Sequence, residues 1–93
     1  MNLISEKGSI LVLYSKKNCP QCIQAKKLLD DCSVKYEVIM ADEDMVARTW
    51  LLDQGHRSLP QIYKDGKLFV QGGHQGLLKA WKEGKLEELV NSP

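Results

Sequence analysis

Residues 15–22 read S-K-K-N-C-P-Q-C, so two of the chain's three cysteines, Cys19 and Cys22, stand three positions apart astride Pro20. A C-x-x-C pair can be half of a zinc site, a structural staple, or a dithiol that cycles between thiol and disulfide. A closed zinc site needs two further ligands at comparable spacing, and the remaining candidates, Cys32, His56 and His74, are not paired in that way. Ten helical steps lead from Cys22 to Cys32, ~15 Å at ~1.5 Å of rise each, whereas bridged Cα atoms lie within about 7 Å. An odd cysteine count also fits a disulfide-stapled secreted scaffold poorly. Redox chemistry is the favoured reading, with zinc the minor alternative and no metal site expected.

That chemistry depends on where the first sulfur sits. Pro20 suits the first position of a helix, where its missing N–H would be unpaired anyway, so Cys19 falls at or near the N-cap. There the unpaired backbone N–H groups and the positive end of the helix dipole favour a thiolate, and Lys16 and Lys17 just upstream add positive charge. Cys22, one turn inside, should be less exposed and keep a more ordinary pKa. Cys19 is then expected to attack a disulfide and Cys22 to resolve the mixed disulfide that forms.

The elements that position the pair follow from hydrophobic periodicity. Residues 10–15, ILVLYS, read as a buried strand ending just before Cys19. From Pro20 the period changes: Cys22, Ala25, Leu29 and Cys32 mark one face of an amphipathic helix. Residues 34–40 read as a second strand, and the acidic run Asp42, Glu43, Asp44 opens a second helix that ends near Gln54 with Gly55 just beyond it. Pro60 then introduces two short strands joined across Asp65-Gly66, a strong hairpin signal. Gly72-Gly73 closes the hairpin, and helices follow over 75–83 and 85–91. The order β-α-β-α-β-β-α predicts an α/β fold with a four-stranded mixed sheet and flanking helices.

Other residues that could do chemistry have plainer readings. Cys32 continues the apolar face of the first helix and is expected to behave as a small hydrophobe. Trp50 and Trp81, at helical spacing from Val46 and Leu77, are expected to be core or half-buried, and His56 and His74 to be ordinary surface residues.

Ninety-three residues, 43% hydrophobic and 27% charged, suit one domain over 1–93. A formal charge of +1 removes the electrostatic case for a nucleic-acid or membrane-surface binder. The N-terminal MNLISEKG shows no leader pattern, and the longest apolar run, Ile10 to Tyr14, is far too short to span a membrane. A cytoplasmic monomer is expected.

In Y-S-K-K-N-C-P-Q-C at 14–22, S-L-P-Q-I-Y at 58–63, D-G at 65–66 and G-G at 72–73 followed by Leu77, the chain resembles the glutaredoxins of the thioredoxin fold. The resemblance implies a dithiol-disulfide oxidoreductase that reduces protein or glutathione mixed disulfides through Cys19 and Cys22. It implies no permanently bound cofactor, with glutathione as the reductant. It also implies a cis peptide bond before Pro60 beside the active-site sulfurs, a Leu59 backbone that pairs with substrate, and Lys16 near the glycine carboxylate of glutathione and the thiolate. Gln75 and Gly76 take the places that hold the γ-glutamyl end, with Gly73 and Gln75 expected to bind the ligand, although the carboxylate expected to meet the ligand amine is missing. G-H-R-S-L-P at 55–60 and the Gln-Cys end of C-P-Q-C are instead similar to the glutaredoxin-like hydrogen donors of ribonucleotide reductase, which draw electrons from thioredoxin reductase. The implied partners are glutathione or thioredoxin reductase and disulfide-containing clients, ribonucleotide reductase among them. An iron-sulfur carrier is a further alternative, disfavoured by proline after the first cysteine.

Overall fold

A computed structural model describes residues 11–91 of the chain. The elements are β1 (Leu11–Ser15), α1 (Pro20–Asp31), β2 (Tyr36–Met40), α2 (Met45–Asp53), β3 (Gln61–Lys64), β4 (Lys67–Leu68), α3 (Gly73–Lys82) and α4 (Lys85–Asn91). One four-stranded sheet runs β2-β1-β3-β4. The β1–β2 pair is parallel and the β1–β3 and β3–β4 pairs are antiparallel, the mixed sheet that the element order predicts. The expected strand start at Ile10 lies outside the described residues.

Alternation along β1 sends its side chains to two different cores. Leu11 and Leu13 join Ile62 of β3 against Ala25 and Leu29 of α1, Leu77 of α3 and Leu86 of α4. Each fully buried leucine or isoleucine there contributes roughly 1.5–3 kcal/mol by leaving water. Tyr14 faces the other side, where Tyr63 of β3, Trp50 and Leu51 of α2, Ala41 and Leu59 form a second cluster. The two packed faces make β1 a central strand, and its end at Ser15 leads the chain directly into the cysteine segment.

The local signals act as their chemistry requires. Asp44 caps α2 by accepting the Ala47 N–H at 3.0 Å. Asp65 and Gly66 take φ values of 53° and 81°, the two left-handed positions of a type I′ hairpin turn. α1 ends on a Schellman closure, with Ser33 left-handed and the Val34 N–H donating to the Leu29 carbonyl at 2.9 Å. Because residues 33 and 34 close that helix, β2 starts at Tyr36 and not at Val34.

Two further expectations need correction. α3 begins at Gly73, two residues before position 75, since the chain turns through the left-handed Gly72 straight into the helix. Trp81 is 49% exposed: the buried stripe of α3 is Gly73, Leu77 and Ala80, and Trp81 falls on its solvent edge. Trp50 is half-buried as expected, although Val46, which set its predicted face, is itself solvent-exposed.

Candidate active site

Between β1 and α1 the chain turns through Lys16, Lys17 and Asn18, all exposed, with Asn18 at φ 54°, a conformation that asparagine tolerates better than most residues. The turn is tied to the loop after β2: the Lys17 N–H donates to Asp42 Oδ2 at 3.1 Å. A Lys17–Glu43 ion pair at 3.4 Å lies on the same side, too exposed to contribute much.

Cys19 follows as the N-cap of α1, in extended conformation, with Pro20 at the helix start. Its sulfur accepts the Cys22 N–H at 3.2 Å, the role that a serine or aspartate oxygen usually fills. Cys19 and Cys22 are joined as a disulfide, with Cα atoms 5.2 Å apart. Both residues are buried, at 6% and 1% exposure, Cys22 the more deeply. That N–H, at the positive end of the helix, is placed to favour a thiolate on Cys19 once the bond is opened.

The second wall comes from the segment before β3. Leu59–Pro60 is a cis peptide, as the resemblance implies, and the Leu59 carbonyl oxygen is 3.8 Å from Cys19 Sγ. A sulfur in a disulfide has no proton to donate, so this is a contact; a Cys19 thiol could donate along the same line. Gly73 packs against Pro60: a Cβ there would stand 2.9 Å from the Pro60 carbonyl oxygen, and Gly73 holds φ 57°. Thus Cys19, Cys22, Leu59, Pro60 and Gly73 are gathered in one place. Gln75 is exposed in the first turn of α3, and no hydrogen bond or ion pair ties its side chain to this group among the described residues.

Lys16 joins the β2–α2 loop, α2 and the segment before β3 in lining a cleft of about 340 Å³, which neither cysteine lines and which meets the disulfide through Leu59. Ala41, Leu51 and Leu52 give it an apolar side, while Arg48, Arg57, Asp42, His56, Ser58 and Leu59 complete the wall. Lys16, Arg48 and Arg57 make no ion pair among the described residues, in contrast to Lys17, Lys64 and Lys85. Three uncompensated cations against one carboxylate suit an anionic ligand.

Arg48, Arg57, Asp42 and Gln61 were not anticipated from sequence. Gln61 is buried and donates to the Ser58 carbonyl at 2.8 Å, bracing the same segment. The basic residue two places before Leu59 in G-H-R-S-L-P is the one signal that could have pointed to Arg57. His56 is also corrected: it is half-buried, and its Nε2 lies 2.7 Å from the Tyr63 hydroxyl. His74 is half-buried as well. Cys32 packs at the edge of the main core, and burial, with Asp31 and Glu87 nearby, pushes its thiol pKa up. Among the described residues no group of three or more histidine, cysteine or acidic side chains is placed to hold a metal ion.

Comparison with known proteins gives a consistent picture. The family model for glutaredoxin matches residues 11–69. Glutaredoxin-C8 of Oryza sativa subsp. japonica is 30% identical over 91 residues, covering 91% of this chain and 65% of its own length. Glutaredoxin 1 of Rickettsia conorii is 32% identical over 85 residues, covering 88% of this chain and 81% of its own. Among solved structures, a buckwheat glutaredoxin-glutathione complex superposes with a TM-score of 0.72 at 28% identity, over 87% of this chain and 76% of that one. A dithiolic glutaredoxin of Trypanosoma brucei brucei does so with 0.72 at 29% identity, over 91% of this chain and 90% of its own.

Proposed function

Because the chain belongs to the glutaredoxin family of thiol-disulfide oxidoreductases, we propose that it reduces protein disulfides and glutathione mixed disulfides with electrons from glutathione. The observation that carries the proposal is Cys19 at the helix N-cap, its sulfur on the Cys22 N–H and beside the Leu59 carbonyl.

The Cys19 thiolate attacks one sulfur of the client disulfide; the other sulfur leaves as a thiolate and takes a proton. Cys22 gives up its proton and attacks Cys19 Sγ, releasing the second client thiol and closing the Cys19–Cys22 disulfide. A first glutathione thiolate opens that disulfide at Cys19, and a second removes the first as glutathione disulfide, so two electrons enter and two leave per cycle. A glutathione mixed disulfide needs Cys19 alone.

Glutathione as the reductant is supported by the cleft, where Lys16, Arg48 and Arg57 face solvent without partners and a carboxylate of the tripeptide would meet them. The buckwheat protein captured with glutathione supports the same ligand in a related fold. Leu59 and Pro60 present the backbone edge to the bound chain, and Gly73 allows α3 to approach it. At Gln75, in the first turn of α3, a neutral amide stands in place of the carboxylate that would pair with the ligand amine. We assign the protein to the cytoplasm, where glutathione is kept reduced, and to a monomeric state. Ribonucleotide reductase is the protein client to test first.

The test is a paired assay in which the same mixed glutathione disulfide is supplied with glutathione and glutathione reductase, or with thioredoxin reductase. Turnover with glutathione is expected. Turnover with thioredoxin reductase alone would overturn the glutathione reading and favour the hydrogen-donor alternative.

A further inference from the structure

His56 joins two structural roles that the sequence keeps apart. Its backbone N–H closes the end of α2 on the Leu51 carbonyl at 3.0 Å, while Gly55, left-handed at φ 90°, donates to Leu52 at 3.0 Å. This Schellman closure turns the chain out of the helix just ahead of Arg57. The imidazole then reaches across to β3, where Nε2 and the Tyr63 hydroxyl are 2.7 Å apart and the two rings stand edge to face at 84°.

Tyr63 is a firm anchor. It is buried, and its ring also meets Trp50 at 4.9 Å and Tyr14 at 5.9 Å between centroids. A side-chain bond from residue 56 to residue 63 therefore clips the segment that carries Arg57, Ser58, Leu59 and Pro60. Within the clip, Gln61 holds the Ser58 carbonyl at 2.8 Å. Arg57 itself makes no ion pair among the described residues, so its placement on the cleft depends on the backbone that carries it.

We propose that His56, acting with Tyr63, is a positioning residue for ligand binding: their hydrogen bond presets the Arg57–Leu59 segment against the cleft and the cysteine pair. The inference rests on the reading that this site binds glutathione. A segment ordered before the ligand arrives leaves less ordering to be done on binding, so the bond acts on affinity. It touches no reacting sulfur and leaves the exchange steps alone.

A double-mutant cycle tests it. His56→Phe keeps a ring without the hydrogen bond, Tyr63→Phe removes a single hydroxyl and should fold without difficulty, and His56→Gln restores a polar atom near the position of Nε2. With a small glutathione mixed disulfide as substrate, each phenylalanine variant is expected to raise KM roughly threefold to tenfold, the range for one lost hydrogen bond. The double variant should raise it no further, kcat should hold, and His56→Gln should recover most of the affinity. An unchanged KM in Tyr63→Phe, or single effects that multiply in the double variant, would overturn the proposal. A wild-type protein that fails to turn over this substrate removes the glutathione reading and the inference together; wild-type turnover with insensitive variants removes the inference alone.

Discussion

The carbonyl oxygen of Leu59 lies 3.8 Å from Cys19 Sγ, although forty positions separate the two residues. β1 pairs with β3, and the chain enters β3 from Pro60, so the sheet brings the end of one strand beside the beginning of the other. The helix N-terminus supplies the hydrogen bond to the sulfur, and the Leu59–Pro60 segment supplies the backbone edge beside it.

Gly73 is where that arrangement is tightest. Gly73→Ala would place a Cβ 2.9 Å from the Pro60 carbonyl at φ 57°, so it is expected to cost about 1–3 kcal/mol and to lower activity by shifting Pro60. Gly72→Ala is the control: its φ of 89° is also strained, but the nearest atom to its Cβ is 3.6 Å away. Thermal melts should show both variants destabilised. Turnover should fall in Gly73→Ala and hold in Gly72→Ala; equal turnover in the two would mean that the contact with Pro60 is without functional effect.

Neutralising the cleft should act on binding. Arg57→Gln and Lys16→Gln are each expected to raise KM for a glutathione mixed disulfide several-fold, with the difference from wild type shrinking as salt is added. Steady-state kinetics at low and high ionic strength would check this. A KM indifferent to both substitutions would place the ligand elsewhere.

Thiol reactivity should separate the cysteines in the reduced protein. The N-cap environment favours the Cys19 thiolate, while burial raises the pKa of Cys32. A raised pKa means less thiolate at a given pH, so Cys32 should be alkylated more slowly than an unperturbed thiol at pH 8. Mass spectrometry after brief iodoacetamide treatment should find Cys19 labelled first and Cys32 largely intact; the reverse order would contradict both environments.

All three tyrosines have pKa values raised by burial. Tyr36 goes furthest, to about 12, with burial first and its hydrogen bond to Asp30 second. The folded state thus holds the phenol protons more tightly than the unfolded chain, whose tyrosines titrate near ~10. Their contribution to stability is complete below pH ~10 and is lost as pH rises toward the folded values. Absorbance at 295 nm should show phenolate appearing late in native protein and near pH ~10 in urea. Coincident titrations would contradict the raised values in the folded protein.

Legibility of the site followed locality. Pro20 and the apolar spacing of Cys22, Ala25 and Leu29 made the N-cap position of Cys19 readable, because capping is decided within one helical turn. Asp65-Gly66 likewise announced its turn. The approach of Leu59 to Cys19 depends on strand pairing across the sheet, and only the resemblance suggested it. Arg48, Arg57, His56 and Gln61 are single polar residues with no periodicity to mark them, and their meaning comes from what surrounds them in three dimensions. Gly73 begins a helix against its own low propensity, because a close approach to Pro60 admits no larger residue.

The central claim is that Cys19 is the attacking sulfur and Cys22 the resolving one. The direct measurement is turnover of a small glutathione mixed disulfide and of a protein disulfide by wild type, Cys19→Ser and Cys22→Ser, with glutathione and glutathione reductase. Cys19→Ser is expected to lose both activities, and Cys22→Ser to keep the first while losing most of the second. Activity surviving in Cys19→Ser, or a Cys22→Ser protein inert toward the mixed disulfide, would contradict the account.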